Sequence, residues 1–312
     1  MPFPSRARPA TFAVEANCSR TVAHETYQVG DLTAVIGDNA ADGEHRAGYN
    51  GVWSLRHKLS DRNLFVPAYA GLNHEHIFNG ETEDDRHYFF EPRTAPMTFQ
   101  KLSGTEAELH QPPTPMFHVE SRTRFKLTAP HYLDMHYTAI AHQHVFPRGW
   151  MGLFWASYLN APDDKGMYFL GGLDGEPATW TQFCTQKHND ESTVRHRDDK
   201  LVLEFEDLSK EALFKSLSPL RFDLPFFSGN FGDLVWIVMF DRTEGLRLTH
   251  SPSGGGGTPE RRTTNPAWDF QWIISPYDVL KPYELRMRTV LRPRCPREEI
   301  IGEYENWRAS LK

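Results

Sequence analysis

The stretch Gly71-Leu-Asn-His-Glu-His-Ile-Phe-Asn-Gly80 sets two histidines one residue apart, and Ala141-His-Gln-His-Val-Phe146 repeats the arrangement. On an extended backbone His74 and His76 project from one side of a strand, and so do His142 and His144. Two imidazoles on one face begin a metal site or line a sugar-binding cleft. Glu81 extends the first pair to His-x-His-x4-Glu, a donor set that divalent metals accept. The expected metal-ligating group is therefore His74, His76, Glu81, His142 and His144, with Zn, Mn or Ca as the ion. The blander reading is that these are polar side chains on the solvated face of a strand.

A second group surrounds a long loop. A strand pattern ends at His250, Ser253-Gly-Gly-Gly-Gly257 and Asn265 follow, and a strand pattern restarts at Trp268. On the returning strand Asp269 and Gln271 face one way, Trp268, Phe270 and Trp272 the other. A carboxylate and an amide at alternate positions offer hydrogen bonds to a polyhydroxylated ligand, and long loops often carry function. The glycine run is no phosphate loop, because the Gly-Lys-Ser/Thr ending is missing. Arg46, Tyr49 and Asn50 lead into a further strand and are placed to reach a cleft. Trp155 and Tyr158 are candidate platforms for a sugar ring, and Trp268 is a further candidate substrate contact. Gly-x-Ser-x-Gly is absent, which leaves acid–base chemistry, with His76, His136, His250 and Asp269 as the expected catalytic groups. Turn formation explains the Arg46–Asn50 region equally well, and core packing explains the tryptophans.

The elements that must carry these residues are mostly strands. In Phe117–Leu127 the odd positions are largely apolar and the even positions all polar, the period-two pattern of a sheet buried on one side. Further strands are expected at Leu32–Ile36, Gly51–Leu55, Tyr132–Ala141, Met151–Leu159, Met167–Leu170, Leu201–Phe205, Leu234–Phe240, Leu246–His250, Trp268–Ile274 and Tyr283–Leu291. Gly, Pro, Asn and Asp separate nearly all of them. A short helix is expected within Leu208–Leu217. A C-terminal amphipathic helix over 296–312 repeats Ile300, Tyr304, Trp307 and Leu311 at helical spacing, with Glu298 and Glu299 near its positive end. Residues 1–10 read as an extended tail. The expectation is one all-β domain, a large antiparallel two-sheet sandwich of supersandwich or jelly-roll type, because so many strands rarely form one open sheet.

Composition narrows the function classes. The 312 residues carry a formal charge of −7 with no concentrated basic stripe, which argues against nucleic acid as a partner. The three cysteines are too few and too scattered for a disulfide framework or a Cys-based zinc site. No stretch is long and apolar enough for a membrane helix, so no membrane partner is expected. Met1–Pro9 lacks the apolar run of a secretory leader, so the chain as given reads as cytoplasmic, or as periplasmic or secreted if a leader has been removed. Homo-oligomerisation is left open.

Two resemblances follow from these residues. His74-x-His76-x4-Glu81 resembles part of the metal-binding motif of cupins, whose histidines and glutamate are ligands. Over most of the chain, the layout resembles the galactose mutarotase-like supersandwich proteins: Leu32–Asn39, Tyr49–Leu55, and Arg122–Pro130 running into Tyr132–Tyr137. That group includes sugar epimerases, polysaccharide lyases and sandwich domains of glycoside hydrolases. The resemblance implies a carbohydrate-active enzyme with a glycan or oligosaccharide ligand, working by hydrolysis, β-elimination or epimerisation with His and carboxylate groups, with or without a metal. The alternatives are a non-catalytic carbohydrate-binding sandwich and a cupin-like metalloenzyme.

Overall fold

The computed structural model describes residues 22–81, 90–206 and 213–311. Strands β1 (His24–Val29), β2 (Leu32–Gly37) and β3 (Gly51–His57) form a small antiparallel sheet. The remaining strands are β4 (Asn73–Phe78), β5 (Thr98–Lys101), β6 (Glu106–Gln111), β7 (Val119–Thr128), β8 (Tyr132–Ala141), β9 (Met151–Ala156), β10 (Met167–Leu173) and β11 (Thr179–Phe183). They continue through β12 (Thr193–His196), β13 (Leu217–Phe222), β14 (Phe226–Phe231), β15 (Leu234–Phe240), β16 (Leu246–Ser251), β17 (Ala267–Ile274) and β18 (Pro282–Pro293). These fifteen strands form one hydrogen-bonded path, β4-β9-β17-β16-β12-β13-β10-β14-β15-β18-β8-β7-β6-β5, with β11 alongside β10.

The path doubles over on itself, which gives the sandwich its two layers. Strands far apart along the path meet through their rings: Trp155 of β9 against Tyr137 of β8 at 4.7 Å, and Phe270 of β17 against Phe240 of β15 at 4.8 Å. Trp236 and Trp268 stack between the same layers. The chain is thus the all-β sandwich its strand patterns predict, with the layers joined by hydrogen bonds rather than separate.

The strongest alternation is realised in β7. Phe125 and Leu127 are buried, while Arg122, Arg124 and Lys126 meet Glu108 and Glu106 across the strand at 3.1 Å on the solvated face. Behind β14, β15 and β18 lies an apolar surface covered by the C-terminal helix described next.

Two helices occur among the described residues: α1, a single turn at Glu91–Thr94, and α2 at Arg297–Ser310. Ile300, Tyr304 and Trp307 of α2 pack on Phe226, Val235, Ile237 and Val290. Each such side chain contributes about 1.5–3 kcal/mol when fully buried.

Two expected elements differ. Among the described residues Leu201–Phe205 keeps alternating burial but pairs with no strand, and its Leu201, Leu203 and Phe205 pack on one apolar cluster. Of the helix expected at Leu208–Leu217, residues 207–212 lie outside the described residues, Leu213–Lys215 form a 3-10 turn, and Leu217 opens β13. The tail expected over 1–10 also lies outside the described residues.

Candidate functional site

The first histidine pair is reorganised by one extra residue. β4 runs antiparallel to β9 with Asn73 opposite Ala156 and His74 opposite Trp155, but His76, not Glu75, then stands opposite Phe154. Glu75 is the inserted residue of a β-bulge, and a bulge re-aims the side chains around it. His74 therefore points into the layer interface while Glu75 and His76 both face the opposite side, correcting the expectation that the two histidines share a face. Asn50 satisfies the displaced backbone. Its Nδ2 donates to His74 O at 2.9 Å and its Oδ1 accepts from His74 N at 3.1 Å.

His74 is 1% exposed and stacks at 5.1 Å on Trp155. Among the described residues neither ring nitrogen has a hydrogen-bond partner, and burial pushes its pKa down to about 3. It is a neutral core ring.

On the other face a cleft of about 340 Å³ gathers Tyr49, Glu75, His76, Arg93, Tyr158 and Asp269. Its apolar walls include Phe90, Phe154 and Phe214. Glu75 is buried and surrounded by donors. Tyr158 Oη donates to Oε2 at 2.5 Å and Asn73 Nδ2 to the same oxygen at 3.0 Å. Arg93 Nη1 lies 3.4 Å and His76 Nε2 3.6 Å from Oε1. Burial raises the Glu75 pKa, and Arg93, Tyr158 and Asn73 oppose that rise. Burial, with the Glu75 charge beside it, pushes the Tyr158 hydroxyl well above its ordinary value, so it stays a donor.

Asp269 is buried in the same cleft, and its Oδ1 accepts from Ser157 N at 2.9 Å. Burial raises its pKa well above the usual carboxylate range, and the Glu75 charge adds to the rise. Of two neighbouring acids, the one with more donors holds the negative charge. The donors around Glu75 thus favour the charge on Glu75, while burial and the Glu75 charge favour the protonated form of Asp269.

Arg93 comes from α1 and is fixed on several sides. Its Nε donates to Gly48 O at 2.8 Å, and its guanidinium lies 4.0 Å from the Tyr49 ring and 4.8 Å from the Phe90 ring. At the cleft rim His188 Nδ1 is 2.8 Å from Ser251 Oγ, and Gly254 of the glycine loop closes the edge.

Of the residues singled out from sequence, Tyr49, His76 and Asp269 line the cleft. Trp155 and Trp268 are fully buried in the layer interface and offer no ring face to a ligand. Gln271 is buried and donates to Thr193 and Thr249 hydroxyls at 3.0 and 2.8 Å. Asn265 holds the glycine loop through Gly255 O and Gly257 O. Arg46 is exposed, its guanidinium 5.7 Å from the Tyr69 ring. His250 is buried, bonded to Thr185 Oγ1 at 2.8 Å and Lys165 O at 2.9 Å, and burial lowers its pKa to about 4. His136 sits on the solvated face of β8, 3.2 Å from Glu284.

The expected metal group does not assemble. His74 is turned into the core, Glu81 accepts from Asn79 Nδ2, His142 pairs with Glu120 at 3.0 Å, and His144 is exposed. Among the described residues no three His, Cys, Asp or Glu side chains converge as a metal site.

Glu75, Arg93 and Tyr158 form the centre of the cleft, yet Glu75 and Arg93 were not among the residues expected from sequence. The available signal was Asn73-His-Glu75 beside the Met151–Leu159 strand pattern that includes Tyr158, but the bulge that sets Glu75 and His76 on one face leaves no mark in the residue pattern.

No protein-family model matches the chain, and no curated protein matches its sequence. Solved structures do. An aldose epimerase homologue (GalM) from C. elegans aligns over 87% of this chain and 99% of its own, with a TM-score of 0.51 at 8% identity. A galactose mutarotase-like protein from Lactobacillus casei aligns over 86% and 100%, at TM-score 0.47 and 9% identity. A heparan sulfate lyase mutant from Pedobacter heparinus aligns over 85% of this chain and 34% of its own, at 0.44 and 9%. At such identities the likeness is one of architecture: the chain resembles the galactose mutarotase-like proteins in fold.

Proposed function

We propose that this protein is a carbohydrate-active enzyme of epimerase type that works by general acid–base catalysis in the Glu75–Asp269 cleft. The observation that carries the reading is the pair of buried carboxyl groups with unequal hydrogen bonding. Glu75, ionised and held by Tyr158, Asn73 and Arg93, takes a proton from a bound sugar through its Oε1 edge. Asp269, protonated, gives one to the oxygen or carbon that gains negative charge. His76, 3.6 Å from Oε1, holds the substrate group beside the base. Tyr49 and Phe90 supply apolar faces for the C–H surface of the ring. The like fold of the aldose epimerase homologue from C. elegans is in keeping with this branch.

The test is turnover of a panel of aldoses and neutral or uronate-containing oligosaccharides. Proton exchange and new stereocentres are followed by NMR, new reducing ends and unsaturated products by colorimetry and absorbance. Glu75→Gln should lower the rate by about 10²–10⁴-fold, the usual contribution of one positioned acid or base. A protein that binds sugars and transforms none of them refutes the enzyme reading.

A further inference from the structure

A second cavity of about 700 Å³ adjoins the first and shares Tyr49, Phe90 and Arg93 with it. We infer that the cleft takes a sugar chain of two or more units, with the reacting unit beside Glu75 and Asp269 and the next unit in this second cavity. The inference rests on the proposed carbohydrate reading and adds the length of the substrate to it.

The shared residues make the two cavities one path. Arg93 stands at the junction with its guanidinium against the Tyr49 and Phe90 rings, so one fixed cation and two rings border both spaces. The outer space is lined further by Ala47, Thr94 and Pro96, small side chains that leave room for a ring. No carboxylate lines it among the described residues, so its chemistry suits hydroxyl groups and C–H faces rather than a cationic ligand.

The outer wall is also built rather than loose. Asn39 Nδ2 donates to Ala95 O at 2.8 Å and to Arg93 O at 3.1 Å, and Gln111 Nε2 donates to Pro92 O at 3.0 Å. From below, Glu91 accepts from Met116 N at 2.5 Å and Phe117 N at 3.0 Å. Three separate strands or loops thus pin one helical turn. Pre-formed walls of this kind spare a ligand the ordering entropy of shaping its own site.

The test measures affinity against ligand length on the full chain, by calorimetry with glucose, galactose and their α-1,4- and β-1,4-linked di- and trisaccharides. The readout is the ratio of monosaccharide to disaccharide dissociation constant. A ratio of about ten or more is expected, equivalent to one further set of well-placed contacts. Ala47→Trp and Thr94→Trp, both at exposed positions that line only the outer space, should bring the ratio close to one, with thermal unfolding checking that each variant folds. A ratio near one in the unmodified protein, or one that neither variant lowers, overturns the inference while leaving the acid–base site standing. Length discrimination without turnover refutes the enzyme reading alone. Failure of every sugar to bind removes the carbohydrate reading and the inference with it.

Discussion

Replacing His74 by phenylalanine tests whether a neutral imidazole is held between the two layers of the sandwich. In the fold its pKa is about 3, against 6.5 for an open chain. Between those values the unfolded chain binds a proton that the folded chain refuses, so stability rises with pH through this window and is fully present above about 6.5. Between neutral pH and about pH 5 the window spans roughly 1.5 units, and at 1.36 kcal/mol per unit His74 removes about 2 kcal/mol of stability. The phenylalanine variant lacks that loss. Two pH-independent effects also act. Phenylalanine relieves two buried ring nitrogens of their missing partners, worth about 1–3 kcal/mol. Its larger ring crowds Trp155 and Tyr137 at a cost of about 1–3 kcal/mol. Both cancel when the mutant-minus-parent difference is compared between the two pH values. His250, also depressed by burial to about 4, acts equally in both proteins and cancels as well. The assay is urea unfolding followed by tryptophan fluorescence at about pH 7 and pH 5. The variant should gain about 2 kcal/mol on its parent on going to the lower pH. A difference that stays constant within about 0.5 kcal/mol would show that His74 takes up its proton in the folded state, and would refute the argument.

Tyr158→Phe removes the 2.5 Å hydrogen bond to Glu75, one of the contacts that hold its pKa down. The limb of the kcat/KM pH profile that reports Glu75 should move to higher pH, and an unmoved limb would detach Glu75 from the titration. Asn265→Ala frees the carbonyls of Gly255 and Gly257 and the amide of Ala161, and should destabilise the fold by about 1–3 kcal/mol in urea unfolding.

Much of the architecture was legible because burial on one side of a strand writes itself as alternation. Tyr132–Ala141 and Leu234–Phe240 coincide with β8 and β15, and the C-terminal helix follows its apolar spacing. Strands such as β12 and β13 were not, since Thr193–His196 and Leu217–Phe222 carry arginines, a proline and serine where a sheet interior would favour branched apolar residues. The doubling of the sheet was hidden too, because which strands become neighbours is decided by the whole path. At the site, Asp269 could be assigned a face from period two alone, and it does line the cleft. His74 and Glu75 could not, because the same rule fails at a bulge. Arg93 was invisible for another reason: it arrives from a single helical turn whose position is fixed by Asn39, Gln111 and Glu91, residues distant in sequence or unremarkable in type.

The bulge at Glu75 gives this site a mutational geography unlike that of a regular strand. Deleting His74 would let β4 and β9 pair without interruption, with Glu75 taking the place opposite Trp155 that faces the layer interface while His76, Ile77 and Phe78 keep their partners and faces. The carboxylate could leave the cleft with no substitution at any lining position. Length changes of a single codon in Asn73–Phe78 are therefore as consequential as point changes at Glu75 itself, and homologous chains would be compared more usefully by the length of this segment than by its residue identities.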